Sequence, residues 1–128
     1  MQTKPKILIV DDEEDILKLY SQKFSLAKFN VIAEKFGKKV LDLAKSCHPD
    51  VILLDILMPD VDGYKIIKLL KSDPKTNKFP IILFSNLGDK EDIEKGILLG
   101  AEDYIPKANF TPDEVVKRVR TFLTKRND

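Results

Sequence analysis

DVILLD, residues 50–55, is the most apolar short run of the chain, and it ends in a carboxylate. A nearly continuous apolar run is typical of a strand that is buried on both faces, as in a parallel sheet. We therefore place 50–55 at the centre of a sheet. Because a charged group is unusual at the end of so apolar a strand, Asp55 is the first candidate for a functional role.

Short β-rich runs alternate with segments of helical period on both sides of this strand. The predicted strands are 6–10, 30–36, 50–55, 79–85 and 102–107. The predicted helices are 14–28, 37–47, 64–73, 89–100 and a last helix to about residue 125. That last helix has Thr111 as N-cap, Pro112 at its first position and Glu114 to complete a capping box. The alternation predicts an α/β fold whose parallel sheet carries helices on both faces.

The composition of the 128 residues, 43% hydrophobic and 34% charged, is that of one soluble globular domain. The 22 basic and 21 acidic residues nearly cancel, which argues against direct nucleic-acid binding. Cys47 is the only cysteine, so an internal disulfide is excluded and a reducing compartment is indicated. With no signal-peptide pattern and no run of ~20 apolar residues, we expect a cytoplasmic protein that does not bind membranes.

Polar residues follow four of the five predicted strands. Asp11 and Asp12 follow the first, Asp55 ends the third, Ser85 ends the fourth, and Lys107 ends the fifth. The carboxyl ends of parallel strands lie at one edge of the sheet, where ligands of open α/β sheets bind. We therefore expect three carboxylates, a hydroxyl and an ammonium to meet at that edge.

Three clustered carboxylates repel one another unless one is protonated or a cation lies among them. Oxygen ligands favour Mg²⁺, whereas one histidine beside one cysteine does not suit zinc. A divalent cation, a lysine and a hydroxyl together outline a phosphoryl-binding site. In such a site one carboxylate can act as the nucleophile and become an aspartyl phosphate.

Four motifs in this order resemble those of response-regulator receiver domains in two-component signalling. They are ILIVDDEED (7–15), VILLDILMPDVDG (51–63), PIILFSN (80–86) and GAEDYIPK (100–107). The resemblance covers about residues 5–125, and we read 1–128 as a single receiver domain, either a stand-alone receiver or one excised from a longer protein. It implies a flavodoxin-like (βα)5 three-layer sandwich with a parallel five-stranded sheet of order 2-1-3-4-5.

The resemblance also implies the donor and the metal. Asp55 would accept a phosphoryl group from the phosphohistidine of a histidine kinase or phosphotransfer protein, or from a small phosphodonor. Mg²⁺, or Mn²⁺ in its place, would be bound by Asp11, Asp12, Asp55 and the backbone carbonyl of Leu57. Asp12 is the expected direct ligand, and no organic cofactor is implied.

The remaining family positions concern the phosphoryl group and the response to it. Lys107 and Ser85 would contact the phosphoryl oxygens. Ser85 and Tyr104 would then act as a switch that reshapes the face made by the fourth helix, fifth strand and fifth helix. That face would bind a downstream protein or a second copy of the chain. The chain would thus be a regulator that catalyses only its own phosphorylation and dephosphorylation.

Two features depart from the family pattern. Ala108 stands where a proline usually follows the lysine, and a cis bond before a non-proline residue costs ~2.5–4 kcal/mol. We therefore predict a trans Lys107–Ala108 bond. Leu57, Asn86 and Leu87 crowd the site with bulky or apolar groups, which suggests poor positioning of attacking water and a long-lived phosphoryl group.

Other interpretations remain open at this point. Asp11 and Asp12 could serve as helix N-cap acids, and Tyr104 could be an ordinary packing residue. The same fold could be a pure interaction module that is never phosphorylated. A haloacid-dehalogenase-like phosphatase is disfavoured because Leu57 stands where its proton-transferring Asp would be. A flavin carrier is disfavoured because the loop after the first strand is acidic rather than hydroxyl- and glycine-rich.

Overall fold

The computed structural model describes residues 4–87 and 89–126, which form one parallel sheet with helices on both faces. The strands are β1 (Lys6–Val10), β2 (Asn30–Glu34), β3 (Val51–Leu54), β4 (Ile81–Ser85) and β5 (Asp103–Pro106). The helices are α1 (Glu14–Leu26), α2 (Val40–Cys47), α3 (Gly63–Ser72), α4 (Lys90–Leu99) and α5 (Pro112–Arg126). The strand order is β2-β1-β3-β4-β5, so the predicted fold class and topology are confirmed.

Strand β3 lies at the centre of the sheet, as its composition predicts. All four of its residues are buried, and its neighbours are β1 and β4. Leu53 is paired with Ile9 on one side and with Ile82 on the other. Strand β2 is only half-buried and lies at an edge, as its more polar sequence indicates.

Successive residues of the central strands point to opposite faces of the sheet, and this alternation creates the three layers. One face packs against α2, α3 and α4 through residues such as Leu54 and Leu83. The other face packs against α1 and α5, with Leu53 and Phe84 among its buried residues. Because both faces are covered, the strands read as continuous apolar runs in the sequence.

The structure differs from the sequence prediction mainly where elements end. Strand β2 stops at Glu34, two residues early, because the Glu34 side chain accepts a hydrogen bond from the Phe36 N–H at 3.0 Å. The chain then forms a 3-10 turn over Gly37–Lys39, so that the α-helix begins only at Val40. The first helix ends at Leu26, since Lys28 adopts a left-handed φ of 72°.

The predicted start of the last helix is confirmed in full. The Thr111 N–H donates to Glu114 Oε1 at 2.8 Å, and the Glu114 N–H donates to Thr111 Oγ1 at 3.2 Å. These reciprocal bonds are those of a capping box. Every peptide bond in the described part of the chain is trans, the Lys107–Ala108 bond included, as predicted. None of the helices described here is both long and apolar enough to span a bilayer.

Gly63 lets the loop that follows Asp55 fold back onto itself. Its N–H donates to the Ile56 carbonyl at 3.0 Å. A β-carbon added at Gly63 would clash with Ile56 Cα and lie 2.9 Å from the Asp55 carbonyl oxygen. Both obstacles are backbone atoms, which cannot rotate away. The loop that positions Asp55 therefore requires a residue without a side chain at this point.

We expect Gly63→Ala to lower the free energy of unfolding by roughly 1–3 kcal/mol, the usual cost of overpacking a tight contact. Chemical denaturation measures the change. Gly37→Ala is the matched control, because its added carbon would meet the movable end of the Ile66 side chain at 2.8 Å. A loss at position 63 no larger than that at position 37 would contradict the steric explanation.

Candidate functional site

Three carboxylates meet at the carboxyl edge of the sheet. Asp11 and Asp12 follow β1, and Asp55 follows β3. One carboxylate oxygen from each of the three lies within 4.8 Å of those from the other two. Asp11 and Asp55 are only 1% and 4% exposed, whereas Asp12 is partly open to solvent. The sheet edge thus holds a compact acid cluster, as the strand ends predict.

Backbone hydrogen bonds beyond the strands hold the acid cluster in register. The Asp11 N–H donates to the Glu34 carbonyl at 3.1 Å, and the Asp55 N–H donates to the Val10 carbonyl at 3.0 Å. Each bond extends the pairing of adjacent strands by one residue. The positions of the two carboxylates therefore follow from the register of the parallel sheet rather than from a flexible loop.

Lys107 brings the opposite charge to this cluster. Its ammonium lies 2.7 Å from Asp11 Oδ2 and 3.2 Å from Asp55 Oδ2, and its side chain is 8% exposed. Lys107 follows β5, which is separated from β3 by β4. Its stem therefore crosses the end of β4, and its ammonium lies 5.4 Å from the centroid of the Phe84 ring. No pattern in the sequence indicates this aromatic contact.

The acid cluster contains more carboxylates than ammonium groups. Burial raises the pKa of Asp11 to about 6, although the Lys107 ammonium and the Glu13 N–H favour its charged form. Burial alone would lower the pKa of Lys107, but the adjacent Asp11 and Asp55 carboxylates raise it. One ammonium thus faces three carboxylates.

The chemistry of these side chains suits a divalent cation. Asp11 Oδ2 is buried, and the Lys107 ammonium lies 2.7 Å from it. Three carboxylates that share a single ammonium form a set of hard oxygen ligands, which Mg²⁺ prefers. Asp11, Asp12 and Asp55 are the residues that fit it.

Leu57 lies beside the cluster, but no loop or side-chain hydrogen bond from the described residues reaches its predicted metal-binding carbonyl. Its N–H donates to Asp55 Oδ1 at 3.2 Å, and this hydrogen bond orients the Asp55 carboxylate. Its side chain is 52% exposed. Asn86, on the opposite loop, is also exposed. The crowding that the sequence suggests at these positions is therefore open to solvent on one side.

Ser85 and Tyr104 are linked through the backbone of Leu87. Ser85 is fully buried, and its Oγ accepts a long hydrogen bond from the Leu87 N–H at 3.4 Å. The Tyr104 hydroxyl donates to the Leu87 carbonyl. Burial raises the pKa of Tyr104 to about 12, with the neighbouring Tyr64 and Asp92 adding to the effect. Within the described residues Ser85 makes no hydrogen bond to Asp55. Both predicted switch residues are instead hydrogen-bonded to the backbone of Leu87.

Two further residues near the site were missed by the sequence analysis. The Tyr64 hydroxyl donates to the Asp92 carbonyl at 3.1 Å, and the Lys95 ammonium lies 4.3 Å from the centroid of the Tyr64 ring. Asp60 accepts the N–H groups of Gly37 and Lys38 and so ties the β2–α2 turn to the loop after β3. Asp60 lies in the loop before Gly63, and Tyr64 is the first residue of the predicted helix 64–73, but no local pattern in the sequence indicates the contacts of either side chain.

The structure is an α/β domain in which an acid cluster and a lysine lie at the carboxyl edge of a five-stranded parallel sheet, where ligands of such sheets bind. The sequence model of the family described as the response regulator receiver domain matches residues 7–120. The chain belongs to this family, the receiver domains of two-component response regulators. The predicted family is thereby confirmed, and the acid cluster is consistent with a phosphorylation site.

Individual relatives agree with this assignment. A probable transcriptional regulator, ycf27, of Guillardia theta is 39% identical over 127 residues, which cover 99% of this chain and 48% of the relative. The PhoP regulatory protein of alkaline phosphatase synthesis in Bacillus subtilis is 36% identical, over 94% of this chain and 49% of its own length. The chain thus spans about half the length of these relatives.

Solved structures show the same fold. The BeF3-activated DrrB receiver domain is 33% identical to this chain and has a TM-score of 0.82. The likeness covers 95% of this chain and 99% of that one. It therefore extends over nearly all of both chains.

We expect Mg²⁺ to stabilise the protein by about 2.7 kcal/mol at a concentration near 100 times its Kd, because the ion binds only the folded cluster. Asp12→Asn should remove most of this gain, and without Mg²⁺ it should raise the free energy of unfolding by up to about 1 kcal/mol by relieving repulsion. Thermal and chemical unfolding with Mg²⁺ and with chelator measure both effects. Asp42→Asn, on an exposed face of α2, is the control and should behave as the wild type. Equal Mg²⁺ stabilisation in both variants would exclude Asp12 as a ligand.

Proposed function

We propose that Asp55 is the phosphoryl acceptor in a two-component phosphorelay. The observation that carries the proposal is the placement of the Lys107 ammonium within 3.2 Å of both the Asp11 and Asp55 carboxylates, at the edge of the sheet. A buried ammonium beside a carboxylate is suited to bind the added oxygens of a phosphoryl group. The donor would be the phosphohistidine of a histidine kinase or of a phosphotransfer protein.

In the transfer step, a carboxylate oxygen of Asp55 forms a bond to phosphorus while the phosphorus–nitrogen bond of the phosphohistidine breaks. The bonding electron pair leaves with the imidazole nitrogen. The Leu57 N–H, which already donates to Asp55 Oδ1, holds the carboxylate in one orientation. Orientation of the acceptor is the main contribution that a protein can make to this loose type of transition state.

Asp11, Asp12, Asp55 and the Leu57 carbonyl would hold Mg²⁺, or Mn²⁺ in its place. When bound, the ion would neutralise negative charge that develops on the phosphoryl oxygens. Lys107 would exchange its contact with Asp55 Oδ2 for one with a phosphoryl oxygen and keep its ion pair with Asp11. Ser85 would donate its hydroxyl hydrogen to another phosphoryl oxygen.

The proposed switch uses the link from Ser85 to Tyr104. A phosphoryl group adds about 1.5 to 2 negative charges, which would draw the Ser85 hydroxyl toward Asp55. Because the Leu87 backbone is hydrogen-bonded to both residues, a shift of Ser85 would move the Leu87 carbonyl that accepts from the Tyr104 hydroxyl. Helix α4 begins at Lys90, three residues after Leu87 in the sequence, so the α4–β5–α5 face would change its packing.

The proposed partners follow from this arrangement. A downstream protein, or a second copy of the chain, would bind the α4–β5–α5 face, where Leu98 is 87% exposed. Direct nucleic-acid or membrane binding by this chain is not proposed. Residues 1–128 would form a single receiver domain in the cytoplasm, and it would act as a regulator whose catalysis is limited to its own phosphorylation and dephosphorylation.

We expect a phosphoryl-sized mass gain when the protein is incubated with Mg²⁺ and a small phosphodonor. Asp55→Asn should abolish the gain, because an amide is not a nucleophile of comparable strength. Intact mass spectrometry makes the measurement, and Asp42→Asn is the control that should gain mass as the wild type does. If neither the wild type nor the control gained mass, the chain would instead be an interaction module without phosphorylation.

We also expect the phosphoryl group on Asp55 to last for minutes or longer. Leu57 and Leu87 offer apolar side chains near the site, which do not position an attacking water by hydrogen bonding. Leu57→Asn should shorten the lifetime by about tenfold or more if an amide can orient water there. Time-resolved intact mass after removal of the donor measures the decay. A wild-type lifetime of only seconds would contradict the explanation that apolar side chains leave the attacking water poorly positioned.

A further inference from the structure

The ammonium of Lys107 lies over an aromatic ring as well as beside two carboxylates. Its nitrogen is 5.4 Å from the centroid of the Phe84 ring, within the range of about 6 Å in which a ring face attracts a cation. Phe84 is buried, and the Lys107 side chain is almost so. Because little water reaches this contact, its electrostatic attraction is stronger than that of a similar contact at the surface.

The register of the sheet places the ring and the lysine on one face. Phe84 in β4 is paired with Ile105 in β5, and Lys107 follows Ile105 by two residues, directly after the strand. Side chains two residues apart along a strand lie on the same face of the sheet, so the Lys107 stem starts on the face that carries Phe84. The contact therefore follows from the pairing of β4 with β5.

A second aromatic residue restricts the orientation of the Phe84 ring. The Tyr20 ring, on α1, meets it edge-on, with centroids 4.9 Å apart and an interplanar angle of 69°. Both residues belong to the buried layer between the sheet and the α1 and α5 helices, where close packing leaves a ring little freedom to turn. Burial raises the pKa of Tyr20, and the Lys107 ammonium opposes that rise, so its charge acts on both rings.

The ring differs from the two carboxylates in how its hold on the ammonium responds to phosphoryl transfer. Asp11 and Asp55 are candidate metal ligands, and carboxylates that also bind a divalent cation attract the ammonium less strongly. The transfer would also separate Lys107 from Asp55 Oδ2. The attraction of the ring depends on neither event, and it fixes no N–H in a directional hydrogen bond. Phe84 can therefore hold the ammonium while one of its N–H groups turns to a phosphoryl oxygen.

We propose that Phe84 is a positioning residue, which holds the Lys107 ammonium beside the acceptor through the face of its ring. The inference rests on the proposed function, since it assigns Phe84 a part in the same transfer. Phe84 acts through Lys107 and takes no part in the making or breaking of bonds. A leucine at this position would fill the core but would leave the ammonium held by the carboxylates alone.

The sharpest test changes the charge distribution of the ring and hardly changes its size. Fluorine atoms withdraw electron density from a ring face, so mono-, di- and trifluorophenylalanine, introduced at position 84 alone, should attract the ammonium progressively less. We expect the rate of phosphoryl uptake from a small phosphodonor at fixed Mg²⁺ to fall stepwise along this series. The trifluoro ring should lower the rate by about threefold to tenfold. Time-resolved intact mass measures the uptake.

Phe24 is the matched control for this series. It is fully buried in the same layer, and its ring meets that of Phe29 edge-on. Among residues 4–87 and 89–126, no lysine or arginine lies over the Phe24 ring. The same fluorinated rings at position 24 should leave the rate of uptake within about twofold of the wild type, because they conserve the volume of the core.

A double-mutant cycle tests the contact without any phosphoryl transfer. Chemical denaturation compares the effect of trifluorophenylalanine at position 84 in the wild-type and Lys107→Met backgrounds. The fluorinated ring should lower the folding equilibrium constant about threefold to tenfold more when the ammonium is present. Methionine keeps most of the length of the lysine stem. The cost of leaving Asp11 and Asp55 without their ammonium enters both sides of the cycle and cancels.

The position of the lysine over the ring has its own readout in NMR spectra. Protons over a ring face are shielded, so the Lys107 ε-methylene signal of a ¹³C-lysine-labelled sample should move downfield in Phe84→Leu. It should keep its wild-type position in Phe24→Leu, which removes a ring of the same size from the same layer. The signal is assigned by its loss in Lys107→Met.

Three results would each overturn the positioning role. They are uptake rates that do not depend on fluorination at position 84, rates that fall equally at positions 84 and 24, and a cycle without coupling between the ring and Lys107. A Lys107 signal unmoved by Phe84→Leu would also contradict it. Absence of uptake in the wild type would count against phosphorylation of Asp55, whereas the denaturation cycle would still decide whether the Phe84 ring holds the ammonium.

Discussion

Two buried carboxylates share one buried ammonium at the carboxyl edge of the sheet, and the rest of the site depends on this contact. Asp11, Asp55 and Lys107 come from the ends of three strands, so the contact forms only when β1, β3 and β5 are all in register. The ammonium offsets much of the cost of burying the carboxylates. With Asp12 nearby, negative charge still exceeds positive charge. That excess favours the binding of a cation at this edge, as the proposed function requires.

The same edge is connected to α4 by two tyrosine hydroxyls. Tyr104 donates to the Leu87 carbonyl, just before the helix, and Tyr64 donates to the Asp92 carbonyl in its first turn. Tyr64 is the second residue of α3, just after the loop that carries Asp55, whereas Tyr104 lies in β5. Two elements near Asp55, α3 and β5, therefore each contribute a hydrogen bond to the start of α4 or to the loop before it. A change at Asp55 can reach it through packed side chains and backbone bonds, without any large movement of the sheet.

The sequence by itself determined the alternation of strands and helices, the capping box of α5 and the meeting of Asp11, Asp12, Asp55 and Lys107. Periodicity and capping are local, and parallel strands must bring their carboxyl ends to one edge. Three contacts were decided only by the tertiary structure. They are the contact of Lys107 with the Phe84 ring, the link from Ser85 to Tyr104 through Leu87, and the hydrogen bonds of Asp60 to the β2–α2 turn. Each of these depends on which loop atom lies beside which side chain after the layers have packed. Residues distant along the chain make those contacts, and no local pattern specifies them.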